Sequence, residues 1–134
     1  MTSDKILKLS KMIDHTNLKP DCTIDEISKL CDEAKKYNFG AVCINPSYVK
    51  TAKEFLKNSE VDICTVIGFP LGATTSEVKS FEAQQAIKNG AEEIDMVLNV
   101  GAMKSGDFDL VNKDIEAVVK VAKNKITKVI LETC

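Results

Sequence analysis

The sequence predicts an α/β protein with a parallel sheet, and three observations support this class. Short apolar runs alternate with amphipathic segments, so the unit strand, loop, helix recurs about every 20 to 35 residues, close to the size of a βαβ unit. Two helices are preceded by capping signals. Within the run 92–101, residues 94–98 are apolar on both strand faces apart from a single aspartate, Asp95, as in a strand covered by helices.

Strands are predicted near residues 13, 42, 64, 96 and 130, and helices near residues 6, 30, 52, 82 and 116. The first helix covers residues 4–11 and carries Ile6, Leu7 and Leu9. Thr23 and Glu26 form a capping box ahead of the second helix, whose apolar stripe repeats at i, i+3, i+4 and i+7: Ile27, Leu30, Cys31 and Ala34.

The third helix begins at Pro46, which suits a first helical turn. Thr74 and Glu77 form a second capping box, and the helix behind it carries Val78, Phe81, Ala86 and Ile87. Residues 101–107 are predicted as a loop. A long helix follows with its apolar face at Val111, Ile115, Val118, Val119 and Ala122, and residues 128–134 are predicted as the last strand.

Two architectures accept this order of elements, an open doubly wound sheet and part of a (β/α)₈ barrel. Periodicity alone does not choose between them. The sequence contains neither a G-x-G-x-x-G nor a G-x-x-x-x-G-K-[ST] motif, which disfavours the nucleotide-binding open sheets.

Composition excludes several classes of function. The 134 residues are 44% hydrophobic, enough for the core of a single domain, and a formal net charge of −2 provides no field for nucleic acid or an anionic membrane. Five cysteines without a C-x-x-C pair and one histidine give no metal-site spacing. The polar amino end is not followed by a signal-like apolar run, so we expect a cytoplasmic protein with reduced thiols, no metal and no cofactor.

Asp95 is the residue that most needs a chemical explanation. With a period of two, it shares a strand face with Val97 and Asn99, opposite the apolar Ile94 and Met96. A carboxylate on a covered strand requires hydrogen-bonding or cationic partners. Such an environment suits a general acid or base, and it also suits a buried aspartate that fastens a neighbouring loop.

Four blocks carry a resemblance to a known family: residues 13–18 (IDHTNL), 41–46 (AVCINP), 66–72 (VIGFPLG) and 93–106 (EIDMVLNVGAMKSG). In this order and spacing they resemble the deoxyribose-phosphate aldolases, cytosolic class I aldolases, over the chain from about residue 10 onward. The resemblance implies a (β/α)₈ barrel of which this chain holds about five units, as one partial-barrel domain over residues 1–134. It also implies a lyase that reversibly cleaves 2-deoxy-D-ribose 5-phosphate to glyceraldehyde 3-phosphate and acetaldehyde, in deoxyribonucleotide catabolism.

The resemblance assigns roles to particular residues. In that family a lysine forms a Schiff base with the substrate, and an aspartate at the position of Asp95 serves the proton transfers. Asp14, Thr16 and Cys43 match positions at or near the family's pocket. For these three a structural role in a buried network or core remains the alternative, and His15 is expected to be structural.

The Schiff-base lysine of the family lies on the sixth strand, beyond residue 134, so the chain alone is expected to be inactive. Lys128 is predicted to begin its strand at the bottom of the barrel, whereas Lys19 and Lys104 are predicted in solvated loops at the top. The alternatives are a non-catalytic half-barrel and an unrelated binding module. For a half-barrel, exposed strand edges predict a homo-oligomer or association with the rest of the barrel.

Overall fold

Strands and helices alternate along the chain as predicted, in a computed structural model that describes residues 3–133. The strands are β1 (Asp14–Asn17), β2 (Ala41–Ile44), β3 (Asp62–Ile67), β4 (Glu93–Val97) and β5 (Ile126–Ile130). The helices are α1 (Ser3–Ser10), α2 (Ile24–Tyr37), α3 (Val49–Phe55), α4 (Ser76–Asn89), α5 (Val100–Lys104) and α6 (Phe108–Ala122). A 3-10 turn at Pro46–Tyr48 precedes α3. None of the helices within the described residues is long and apolar enough to cross a lipid bilayer.

The chain divides into two compact units, Met1–Thr65 and Val66–Cys134. In the first unit β1, β2 and β3 pair in parallel, with Thr16 opposite Cys43 and Cys43 opposite Cys64. The predicted stripe of α2 is buried, and the residues of β2 are buried along the whole strand. This unit therefore has the helix-covered strand that the compact apolar run 41–44 predicts.

The second unit contains a parallel pair of strands, β4 and β5, with α4 and α6. Ile94, Met96 and Val97 of β4 are fully buried. A cluster of apolar side chains lies at the carboxyl end of β4 and comprises Leu98, Ala102, Val111, Ile115 and Val129. Most of the predicted face of α6 is covered, but Val119 is exposed.

Helix α4 exposes two of its four predicted apolar residues to solvent, whereas Ala86 is buried as predicted. Val78 and Phe81 are exposed, whereas the buried stripe consists of Ser76, Lys79, Ala83 and Ala86. Lys79 is 0% exposed. Small side chains allow α4 to approach its neighbours closely, and an ion pair with the buried Asp114 holds Lys79 inside.

Several boundaries differ from the sequence prediction. Helix α3 begins at Val49 and not at Pro46, because residues 46–48 form a 3-10 turn. The predicted loop 101–107 contains α5, which the Asn99 side chain caps by accepting a hydrogen bond from the Ala102 amide at 3.1 Å. Thr75, not Thr74, caps α4. The last strand begins at Ile126 and ends at Ile130, so its predicted extent of 128–134 was wrong. Cys134 and the side chains of Ile6 and Leu7 lie outside the described residues.

The capping box of α2 forms as predicted. The Thr23 hydroxyl accepts from the Glu26 amide at 3.3 Å, and the Glu26 carboxylate accepts from the Thr23 amide at 2.7 Å. The hydrogen bond from the Thr23 backbone, followed by the one from its hydroxyl, lowers the pKa of Glu26 below its ordinary value of 4.5. The charged form of Glu26 is thus favoured by folding.

This pKa shift predicts a pH-dependent contribution to stability. Because the folded pKa is depressed, the stabilisation is present above the unfolded value of 4.5 and is lost as the pH falls through the folded pKa. We expect the difference in free energy of unfolding between the parent and Glu26→Gln to be constant near neutral pH and to shrink in acid. Urea unfolding followed by circular dichroism measures it, with Asp25→Asn as the matched control. A difference independent of pH would contradict the assignment.

Candidate active site

Asp95 is the third of the five residues of β4. Its flanking residues, Ile94 and Met96, are fully buried on the opposite face of the strand. The Asp95 side chain is 15% exposed, and Glu93, two residues earlier on the same face, is 14% exposed. Two carboxylates therefore project from one face of a largely covered strand.

Lys128 lies directly beside these carboxylates. It is opposite Asp95 in the register of β4 and β5, and its Nζ lies 3.3 Å from Asp95 Oδ1 and 2.7 Å from Glu93 Oε2. The prediction that Lys128 begins its strand was wrong, because the strand starts two residues earlier at Ile126. The partly exposed ammonium, 37% accessible, bridges both acids.

A signal for Lys128 was present in the sequence. The strand pattern requires one face of β4 to accommodate the acids of Glu93 and Asp95, and a lysine among β-branched residues on the next strand is a natural partner for them. This partner is not evident when the strand is taken to begin at Lys128 itself. Because β5 begins two residues earlier, Lys128 lies in the middle of the strand and not at its end.

The arrangement of Glu93, Lys128 and Asp95 makes Asp95 suited to proton transfer. An ammonium within ion-pairing distance orients the Asp95 carboxylate, and partial burial strengthens that attraction relative to bulk water. A carboxylate held in one orientation and still reachable from solvent can accept and return protons of a bound substrate.

The loop after β3 is held against the carboxyl end of β4. The Gly68 amide donates to Glu82 Oε2 at 2.8 Å, and the Gly72 amide donates to the Gly68 carbonyl at 2.7 Å. Gly72 has a φ of +64°, and a Cβ on it would lie 2.0 Å from the Leu98 carbonyl oxygen. Only glycine permits this approach, so the loop 68–72 lies directly on the backbone that follows Asp95.

In the first unit, the structure brings Asp14, Thr16 and Cys43 onto one face of the β1–β2 pair. Asp14 and Thr16 are two residues apart on β1, and Thr16 is opposite Cys43 in the register. The Thr16 hydroxyl donates to the Asp14 carbonyl at 2.8 Å, and Cys43 is buried. The role of these three side chains in a substrate pocket stays a prediction.

His15 occupies the other face of β1 and makes structural contacts. Its Nε2 lies 2.8 Å from Glu33 Oε2 on α2, and its ring centroid lies 5.1 Å from that of Phe39. The hydrogen bond with His15 is the main reason that the pKa of Glu33 lies below its ordinary value. These contacts connect β1 to α2, as expected for a structural histidine.

The predicted loop after β1 is held by residues that follow β2. Asn45 Nδ2 donates to the Lys19 carbonyl at 3.2 Å, and the Tyr48 hydroxyl donates to the Cys22 carbonyl. Lys19 itself is exposed in this loop, as predicted. Lys104 is also exposed, but it lies in the last turn of α5 rather than in a loop.

Comparison of sequences identifies relatives over nearly the whole chain. Residues 8–134 match the family described as DeoC/LacD family aldolase. The chain is 59% identical over 128 residues to a deoxyribose-phosphate aldolase of Streptococcus gordonii, covering 96% of this chain and 58% of the relative. It is 62% identical over 124 residues to a deoxyribose-phosphate aldolase of Staphylococcus carnosus, covering 92% of this chain and 56% of the relative.

Solved structures show the same likeness. A putative deoxyribose-phosphate aldolase from Coccidioides immitis superposes with a TM-score of 0.93 at 41% identity, covering 96% of this chain and 51% of that one. The deoxyribose phosphate aldolase from Aeropyrum pernix, described as having a unique tetrameric structure, superposes with a TM-score of 0.84 at 32% identity, over 98% of this chain and 60% of that one. The predicted (β/α)₈ barrel class is confirmed, and the chain spans between half and three-fifths of these relatives.

Proposed function

Because the chain belongs to the DeoC/LacD family of aldolases, we propose that it forms the amino-terminal part of a deoxyribose-phosphate aldolase. The reaction is the reversible cleavage of 2-deoxy-D-ribose 5-phosphate into glyceraldehyde 3-phosphate and acetaldehyde. The names of the two bacterial relatives support this substrate. The observation that carries the proposal is the Asp95 carboxylate, held in a largely covered strand by the ammonium of Lys128.

The proposed role of Asp95 follows from the chemistry of a Schiff-base aldolase. A lysine amine adds to the substrate carbonyl, the carbinolamine loses water, and the enamine left after carbon–carbon cleavage gains a proton at carbon. Each step moves a proton, and a positioned carboxylate serves as acid or base, directly or through a water molecule. Asp14, Thr16 and Cys43 are proposed to contribute to the substrate pocket.

Lys128 is not proposed as the nucleophile. A Schiff-base lysine is activated by surroundings that disfavour its charge, such as an apolar pocket or a second cation. The Lys128 amine instead makes ion pairs with two carboxylates, at 2.7 and 3.3 Å. We assign it the role of orienting Asp95, and we place the Schiff-base lysine in the part of the family's barrel that these 134 residues do not include.

The role of Asp95 is tested in a protein with all eight strands. In what we call the completed barrel, these 134 residues are followed by the part of the Streptococcus gordonii relative beyond the matched region. Asp95→Asn keeps the shape of the side chain and removes its proton exchange, so we expect turnover to fall by about 10²-fold or more with the fold intact. Steady-state cleavage of deoxyribose phosphate measures this.

The matched control is Asp109→Asn, which removes an exposed carboxylate from the first turn of α6. Its turnover should equal that of the parent. Near-normal turnover of Asp95→Asn would support the structural alternative, in which the Asp95 carboxylate only holds a neighbouring loop in place.

A second prediction concerns the 134-residue chain by itself. If the Schiff-base lysine lies elsewhere in the barrel, borohydride in the presence of acetaldehyde or deoxyribose phosphate should leave no stoichiometric adduct at a single lysine. Mass spectrometry of the intact chain and of its peptides provides the measurement, with the completed barrel as the positive control. A specific adduct on Lys19, Lys104 or Lys128 would overturn the proposed location of the nucleophile.

We further propose that the two units belong to one partial-barrel domain that does not persist as an isolated monomer. Among the described residues, β5 pairs only with β4. Ile126, which begins that strand, and Leu131, which follows its last residue, are exposed. An unpaired strand edge with apolar neighbours favours association with another chain, and the Aeropyrum pernix relative is described as tetrameric.

Sedimentation at micromolar concentration tests the proposed association. We expect the 134-residue chain to sediment as a dimer or larger species, because its free strand edge is a template for pairing. The completed barrel, whose closure removes that edge, is the control and separates edge pairing from other contacts. A monodisperse monomer with normal hydrogen-exchange protection in β5 would show that the edge does not drive association.

A further inference from the structure

A fully buried lysine lies in the second unit, outside the group formed by Glu93, Asp95 and Lys128. The Lys79 side chain is 0% exposed, and its Nζ lies 2.5 Å from Oδ2 of Asp114 on α6, a side chain that is 3% exposed. The same amine donates a hydrogen bond to the Val97 carbonyl at 2.9 Å. Lysine is almost never fully buried unless it is paired, so this site needs an explanation.

Stability alone does not explain this ion pair. A buried ion pair is often no more stabilising than apolar residues of similar volume in the same place, because both charges lose their hydration. Helix α4 nevertheless buries Lys79 and leaves Phe81 62% exposed. The rotation of α4 about its own axis therefore does not maximise the burial of its apolar side chains.

The Lys79 amine forms its hydrogen bond with the backbone that follows Asp95. Val97 is the last residue of β4, two positions after Asp95. Its carbonyl accepts from Lys79, and the amide of Leu98, in the same peptide group, donates to the Ile130 carbonyl at 3.0 Å. This peptide group is therefore held from α4 on one side and from β5 on the other.

The stem of Lys79 also supports the loop after β3. A Cβ on Gly68 would lie 2.9 Å from Cε of Lys79, so the aliphatic chain of the lysine fills the space directly beneath that glycine. At the other end of the loop, Gly72 lies against the Leu98 carbonyl. One side chain thus contacts both backbone segments that border the carboxyl end of β4.

We propose that Lys79 is a positioning residue for the aldolase reaction, with Asp114 as its counter-ion. By its hydrogen bond to the Val97 carbonyl, Lys79 fixes the carboxyl end of β4 and the loop 68–72, and so keeps the Asp95 carboxylate in its productive place. The inference rests on the proposed function. A displacement of about 1 Å at a reacting group can reduce a rate by about 10²-fold. Loss of the hydrogen bond from Lys79 to the Val97 carbonyl should therefore lower the reaction rate.

The test separates the hydrogen bond from the burial of charge. Lys79→Met alone leaves the Asp114 carboxylate buried without its cation and is expected to destabilise the fold. The double variant Lys79→Met/Asp114→Leu removes both charges with side chains of similar size, so the melting temperature should return to near that of the parent. The double variant still lacks the donor to Val97.

In the completed barrel, we expect the double variant to lose turnover by about tenfold or more, with KM changed by less than about threefold, since a displaced acid or base affects the chemical step. The matched control is Lys125→Met, which breaks the ion pair with Glu92 before the amino ends of β4 and β5. Its turnover should equal the parent's. If turnover of the double variant recovers together with its stability, Lys79 is purely structural and the proposal is overturned.

Hydrogen exchange in the same protein supplies a readout that does not depend on activity. The Leu98 amide should exchange at least about tenfold faster in the double variant, because its peptide group is no longer held at the carbonyl, whereas the amides of α2 should be unchanged. Unchanged exchange at Leu98 would overturn the proposal. If the double variant does not fold, Lys79→Leu/Asp114→Met receives the same two measurements. An inactive parent would refute the proposed function, and the exchange at Leu98 would then still decide whether Lys79 fixes this peptide group.

Discussion

The second unit depends on one electrostatic requirement, the need of a buried ammonium for partners inside the protein. Lys79 has no access to water, so its charge has to be met by protein groups. Asp114 on α6 supplies the counter-charge, and Val97 at the end of β4 supplies a carbonyl. The rotation of α4, its contact with α6 and the position of the carboxyl end of β4 together bring these partners to the Lys79 amine.

The candidate acid or base lies on a strand and not in a loop, and this placement has a physical benefit. A strand residue is held by its neighbours on both sides, so its side chain is positioned more accurately than one in a loop. Asp95 is further oriented by Lys128, one strand away, and Lys128 is shared with Glu93. The Lys128 ammonium therefore makes ion pairs with both carboxylates, that of Asp95 and that of Glu93.

The first unit shows how one short strand can serve two purposes. The alternation of side chains on β1 directs His15 to Glu33 on α2 and places Asp14 and Thr16 on the opposite face beside Cys43. The helix-facing contact fixes the strand. The other face carries Asp14 and Thr16, and the loop that follows β1 is held by hydrogen bonds from Asn45 and Tyr48, which follow β2.

The sequence by itself determined the features that depend on residues close together in the chain. The alternation of strands and helices, the capping box of Thr23 and Glu26, the buried stripe of α2 and the candidate acid Asp95 all follow from periods of two and 3.6 or from hydrogen bonds across three residues. The family resemblance, likewise visible in the sequence, supplied the barrel.

Only the tertiary structure decided which face of α4 is buried, where β5 begins and which lysine lies beside Asp95. Val78 and Phe81 were the natural choice for a core face, but the partners of Lys79 are 18 and 35 residues away along the chain. The position of Lys128 depended on the register of β5 against β4. Such choices are made by contacts between distant segments, whose energies exceed local preferences and which no local pattern records.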